Sequence, residues 1–184
     1  MSRAMPVSYV RVTGVERITP RTARVGFTGE ALPRLLEDRP DQQMKLCLPR
    51  EGRSVREGLL PERDADDPYG MRWYEAFLAI PEAERPWMRG FTVRSYDRER
   101  NVMAVDFVLH GADGPASRWG AAARPGDVLG MVGPSSLYAR PLPAARRMLL
   151  AGDESALPAI ATVLEALPAG TGAVVYAEVA DAAE

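Results

Sequence analysis

Three stretches of this chain carry residue types and spacings that can do chemistry. The first is Arg89-Gly-Phe-Thr-Val-Arg94, in a run with strand character. Alternation along a strand puts Arg89, Phe91 and Val93 on one face and Thr92 and Arg94 on the other. A guanidinium grips phosphate through two parallel N–H bonds. An aromatic ring can cover a flat ring, and a hydroxyl can bond to a ring edge. The same pattern also describes an ordinary strand with Phe91 in the core and two solvated arginines.

The second stretch is His110-Gly-Ala-Asp-Gly-Pro-Ala-Ser-Arg-Trp119, where a strand runs into a glycine-containing turn. Pro115 suits the first position of a helix, which makes Gly114 the expected N-cap. The N–H groups of Ala116 and Ser117 then point out of the helix start, with the Ser117 hydroxyl beside them. Free donors at a helix N-terminus suit a phosphate; a strand-to-helix turn without any ligand has the same pattern. The third stretch is Leu149-Leu-Ala-Gly-Asp-Glu-Ser-Ala-Leu-Pro158, a strand-to-helix turn of the kind at which nucleotide-binding sheets hold ligand. It has Gly152 but not the full G-x-G-x-x-G fingerprint, and a plain turn capped by Asp153 or Ser155 is the alternative.

Other chemistries find little support. His110 is the only histidine and Cys47 the only cysteine, so neither a disulfide nor a multi-cysteine or paired-histidine metal site can be built. No metal site is expected. The run Asp64-Ala-Asp-Asp67 lacks the downstream glutamate of a calcium loop and reads as a solvated acidic surface. No Ser-His-Asp or Cys-His set can be nominated. Trp73, Trp87 and Trp119 read as packing residues.

The elements that must position these stretches follow from periodicity. Apolar alternation predicts strands at residues 7–15, 22–28, 44–48, 91–96, 101–110 and 127–132. Short helices are predicted at 30–37 and 71–80. Residues 50–70 are charged and rich in turn formers, which predicts a long surface excursion. Beyond residue 145 the pattern changes. A short apolar strand at 146–152, a helix over 155–167 with its N-cap near Ser155, and a buried strand at 173–179 make one βαβ unit. A lone βαβ leaves sheet faces and an edge partly uncovered, so a larger α/β domain cut short is expected.

The 184 residues leave room for one domain or two small ones. At 46% hydrophobic and 26% charged, the chain has the composition of an ordinary globular protein and not of a disordered or collagen-like one. A net charge of −2 gives no global field for nucleic acid or anionic membrane. Nearly all the basic residues are arginines, Lys45 being the only lysine. The first residues lack the apolar core of a signal peptide, and no stretch reaches the ~18 apolar residues that span a bilayer. A cytoplasmic protein without membrane insertion or nucleic-acid partner is expected.

Taken in order, RGFTVR, HGADGPASRWG and GDESALPAI resemble the siderophore-interacting protein family, ferredoxin-reductase-like flavoproteins that reduce ferric siderophores. The family pattern reads R-x-Y-T-x-R, H-G-x-x-G-P-A-x-x-W-A and G-D-E-[TS]-A-L-P-A-I, and the likeness extends over essentially the whole chain. It implies a β plus α/β fold. An antiparallel Greek-key FAD-binding barrel at residues 1–143 would precede an incomplete Rossmann-like NAD(P)H-binding domain at 144–184. It implies FAD contacts from Arg89 (pyrophosphate), Phe91 (along the isoalloxazine), Thr92 (near the ring), Val93, Arg94 and Asp106, and from His110, Gly111, Gly114, Pro115, Ala116 and Ser117. It implies that Gly152, Asp153, Glu154, Ser155 and Ala156 face NAD(P)H. Phe91 stands where the family has tyrosine, and Gly120 where it has alanine, which reads as a minor change. The implied activity is electron transfer from NAD(P)H through FAD to a ferric siderophore, in a monomer, with no catalytic side chain. The alternative is a flavin- or siderophore-binding module that does not turn over alone.

Overall fold

Alternation of apolar and polar residues dictates the strands around which the computed structural model is built. It describes residues 6–37, 39–64, 66–67, 69–111, 114–134 and 142–184. In β2 (Thr22–Thr28) every second residue, Ala23, Val25 and Phe27, is buried. In β6 (Val102–Val108) Met103, Val105 and Phe107 are fully buried. β1 (Val7–Thr19) runs four residues past the sequence expectation, because its outer half pairs with β2 as a hairpin closing at Thr19 and Thr22. Pairing satisfies the backbone there even though Val15 and Ile18 stay exposed.

The remaining elements are α1 (Leu32–Leu35), β3 (Gln43–Leu48), α2 (Met71–Ala79), β4 (Trp87–Thr92), β5 (Ser95–Asp97), α3 (Pro115–Ala122), β7 (Val128–Val132), β8 (Arg147–Asp153), α4 (Leu157–Glu165) and β9 (Gly172–Glu178). Seven strands form one antiparallel sheet in the order β4-β3-β7-β1-β2-β6-β5. The non-sequential neighbours β3–β7, β7–β1 and β2–β6 mark crossovers of the Greek-key kind. The strands at the two ends of this order, β4 and β5, are consecutive in the chain and separated only by Val93-Arg94. The single strand expected over 91–96 is therefore broken, and the break is where the curled sheet turns back on itself. There Val93 N donates to Gln42 O and Arg94 N to Ala104 O, at 2.8 and 2.9 Å.

The core inside the curl is aromatic at one end. Phe107 lies 4.6 Å from Phe91, 5.2 Å from Trp119 and 6.4 Å from Phe27, centroid to centroid. Gly120 lets α3 approach this cluster, since a Cβ there would fall 2.8 Å from Phe107 Cβ. The glycine is thus no minor change; it makes room for the phenyl ring beneath it.

Residues 50–70 depart from the surface excursion expected. Val55 and Leu60 are buried, Val55 N donates to Val128 O at 2.8 Å, and Trp119 Nε1 donates to Arg53 O at 2.7 Å. Leu60 occupies the space beside Gly130 that a side chain would need. With Cys47, Trp73, Phe77 and Val132 it forms a second core on the outer face of β7, which is why all five β7 residues are buried. Burial pushes the Cys47 thiol up to about 12. Asp67 is not a solvated acid either. It is 5% exposed and accepts from Trp73 N and Met71 N, both at 3.0 Å. Those bonds hold its carboxyl below the usual carboxylate range, the Trp73 bond most of all.

β8 and β9 pair in parallel as a separate two-stranded sheet. The 3₁₀ turn Glu154–Ala156 leads into α4. The cap of this helical run is Asp153, not Ser155: its carboxylate accepts from Ser155 N at 2.9 Å and Ser155 Oγ at 2.6 Å. The Ser155 hydroxyl is the strongest of the influences that hold this carboxyl below its usual range. β9, expected to be buried, is exposed at every residue. Among the described residues no helix is long and apolar enough to cross a membrane.

Candidate functional site

Phe91 and Arg89 lie two apart on β4, so they share a face, opposite Met44 and Leu46 of β3. Beside them β6 ends at Val108, and the chain passes through His110 and Gly111 to α3. Gly111 has φ +86°, a left-handed conformation that glycine adopts without strain. Gly114 is the extended N-cap and Pro115 the first residue of α3, as the sequence predicts. This brings the middle of β4 against the start of α3 across the end of β6.

Between them lies a cleft of about 380 Å³. One wall is Arg89, Gly90, Phe91 and Thr92; the other is Gly114, Pro115, Ala116 and Ser117. Asp106 and His110 line it from β6 and the loop after it, and Ser155 and Pro158 close it from the βαβ unit. A Cβ at Gly90 or Gly114 would meet no atom within 4 Å, so both glycines open onto free space. The N–H groups of the first turn of α3 have no intrahelical acceptor, and no carboxylate pairs with Arg89 among the described residues. Its Nη1 donates to Met88 O at 3.0 Å, and its guanidinium lies 5.6 Å from the Trp87 ring, which Arg50 also covers at 3.9 Å.

The cleft brings together the Arg89 cation, the start of α3, the half-buried Phe91 ring and the Thr92 hydroxyl. That set fits a group with a pyrophosphate and a flat ring system. The glycine-lined space is the cradle such a group needs.

Several expected residues hold the site rather than line it freely. The Ser117 side chain is buried, and its hydroxyl donates to Gly111 O at 2.7 Å. It ties the loop to the helix and is not a spare donor. Asp106 is gripped by Arg24 through bonds of 2.7 and 2.8 Å, which hold the Arg24 guanidinium protonated above its ordinary value. That partner is set by the β2–β6 register, Arg24 opposite Asp106, and no local pattern reveals it.

Val93 and Arg94 are not brought into the cleft. The break after Thr92 sends Val93 into the core at 7% exposure. Arg94 turns to Glu165 of α4, with two bonds of 2.6 and 3.0 Å. Gly152, Asp153 and Ala156 also lie outside the cleft lining; Asp153 is spent on capping, and Gly152 sits where a side chain would collide with Ala156. Glu154 comes closer to the other set: its Oε2 is 3.7 Å from His110 Nδ1, and its Oε1 accepts from Ala180 N at 2.7 Å. The two groups of residues singled out in the sequence therefore meet at His110, Glu154 and Ser155. Ala112 and Asp113 of the second motif lie outside the described residues. Gln43, Gly90, Val108 and Pro158 line the cleft without having been named as contacts; Gly90 and Pro158 had a signal, their places inside the first and third motifs, and Gln43 and Val108 had none.

Two family models match the chain: the siderophore-interacting FAD-binding domain over residues 11–138 and the siderophore-interacting protein over residues 145–184. The ferric vibriobactin reductase of Vibrio cholerae is 32% identical over 98% of this chain and 63% of its own length. The NADPH-dependent ferric-chelate reductase of Escherichia coli is 33% identical over 85% of this chain and 55% of its own. A siderophore utilization protein from T. fusca superposes on all of this chain and 65% of its own, with TM-score 0.77 and 32% identity. The chain thus spans a little over half to two thirds of the length of these relatives.

Proposed function

The chain belongs to the siderophore-interacting protein family, and from that premise we propose that it is the FAD-binding part of an NAD(P)H-dependent ferric-siderophore reductase. The observation that carries this reading is the glycine-lined cleft in which Arg89, the Phe91 ring and the first turn of α3 converge. Bound FAD would supply the redox chemistry, taking two electrons from NAD(P)H and giving them singly to Fe(III) of the siderophore.

The protein's part is position and electrostatics. Arg89 and the N–H groups of Ala116 and Ser117 bind the diphosphate, the guanidinium by charge and the helix start by its free donors. Phe91 covers one face of the ring system, itself backed by Phe107. Thr92 offers a hydroxyl to the ring edge. Ser117 fixes the Gly111 loop so that His110 stands at the rim. Phenylalanine at position 91 keeps the stacking surface and gives up the hydrogen bond that a tyrosine would make there. Ser155 and Pro158 close the cleft on the side of the βαβ unit. The division at 143/144 is supported by the change from antiparallel sheet to βαβ unit. The siderophore as substrate, a monomeric state and a cytoplasmic setting complete the reading.

The test is colour and kinetics. The purified chain should turn yellow with one equivalent of FAD, and NADPH under anaerobic conditions should bleach it. Yellow protein that NADPH fails to bleach would identify a flavin-binding module without reductase turnover. Failure to take up FAD would overturn the reading.

A further inference from the structure

A second, larger cleft shares no lining residue with the first. Its volume is about 560 Å³. It is walled by the loop before β3, by the β4–β5 break and by the C-terminal half of α4, so α4 borders one cleft at Pro158 and the other at Thr162 and Glu165. The walls are tied together: Asp41 N donates to Thr162 Oγ1 at 3.0 Å, and Arg94 grips Glu165 as described.

Three guanidinium groups, Arg39, Arg94 and Arg98, and two carboxylates, Glu37 and Glu165, line this space. Glu37 lies 3.2 Å from Arg39 Nε, and the Arg98 guanidinium sits 5.5 Å from the Tyr96 ring with one N–H on Leu36 O at 3.2 Å. Gln42 is 3% exposed. Its Oε1 accepts from Glu37 N at 3.3 Å, but among the described residues its buried Nε2 has no acceptor, and neither does buried Arg39 Nε in hydrogen-bonding geometry. Both unmet groups are N–H donors. Burying donors without acceptors is costly, and the surplus positive charge names the kind of acceptor that relieves it. Guanidinium forks and an amide N–H match the oxygens of carboxylate or phosphate.

We propose that this cleft is a binding site for a compact oxyanion carrying carboxylate or phosphate groups, held by Gln42 Nε2, Arg39 and Arg98 beside the Arg94–Glu165 pair. The site is independent of the flavin cleft, and its failure would leave the flavin reading untouched.

The test is calorimetric titration of the chain at low ionic strength with citrate and, separately, with inorganic pyrophosphate. Saturable 1:1 binding tighter than about 1 mM is expected for at least one probe, and the tighter of the two identifies carboxylate or phosphate as the natural group. Gln42→Glu keeps the acceptor for Glu37 N but replaces the free donor with a negative oxygen. It should weaken binding at least about tenfold while the FAD titration is unchanged. Should that variant misfold, Arg98→Gln, at an exposed position, should weaken binding several-fold. Absence of saturable binding by both probes would overturn the proposal. So would binding that neither variant alters.

Discussion

The barrel and the βαβ unit are built from strands of similar composition, yet they are buried very differently. In β7 all five residues are buried; in β9 all seven are exposed. Val-Leu-Gly-Met-Val and Gly-Ala-Val-Val-Tyr-Ala-Glu both read as apolar strands. The difference is what packs on them. β7 has the aromatic core on one face and, on the other, the Leu60–Trp73–Phe77 cluster supplied by the excursion before β4. Among the described residues β9 pairs only with β8. Apolar composition marks a segment as a strand; burial needs partners from elsewhere in the chain.

The contrast is sharpest in its aromatic residues. Phe107→Ala in the barrel removes a fully buried ring that touches three others and should cost about 3–5 kcal/mol in urea unfolding. A loss below about 1 kcal/mol would show that the barrel core is as loosely packed as the βαβ unit. At the cleft between the regions, Arg89→Ala should weaken FAD binding by about 1.5–3 kcal/mol, the range for hydrogen bonds to a charged group, without lowering the unfolding midpoint. Unchanged affinity by fluorescence titration would remove Arg89 from the site.

Ser117→Ala deletes the bond to Gly111 O rather than a ligand contact. It should cost about 0.5–1.5 kcal/mol of stability, with FAD affinity falling only as the loop loosens. A loss of affinity with stability intact would show that the hydroxyl reaches the ligand after all.

Asp67 in the barrel and Asp153 in the βαβ unit extend the comparison to pH. Backbone N–H bonds depress the first carboxyl, and the Ser155 hydroxyl and N–H depress the second. A depressed folded-state pKa gives stability that is full above the unfolded value, about 4. That stability is lost as pH falls through the folded value. Asp67→Asn should therefore flatten the fall in stability below about pH 4. Asp153→Asn should do so less, because that carboxylate is exposed. Equal effects in acid titrations followed by circular dichroism would erase the distinction. The smallest effect is expected at Tyr176→Ala on β9, 67% exposed: within about 0.5 kcal/mol of wild type by the same urea assay. A larger loss would mean that β9 is covered in solution.

Local regularities were legible in the residues themselves. The alternation of Ala23, Val25 and Phe27, the Gly114-Pro115 helix start and the motif order led to the strands, the cap and the family, because each depends on neighbours a few positions away. Long-range pairing was not legible. The break at Val93-Arg94 comes from the sheet turning back on itself, and it sends Arg94 to Glu165, 71 residues on. The burial of Asp67, Val55 and Leu60 comes from the outer face of β7, and the charge on Asp106 is answered by Arg24 through strand register. Sequence periodicity says which face of an element is apolar. Only the tertiary fold says what that face meets, because burial, charge pairing and an open cleft are properties of two surfaces brought together.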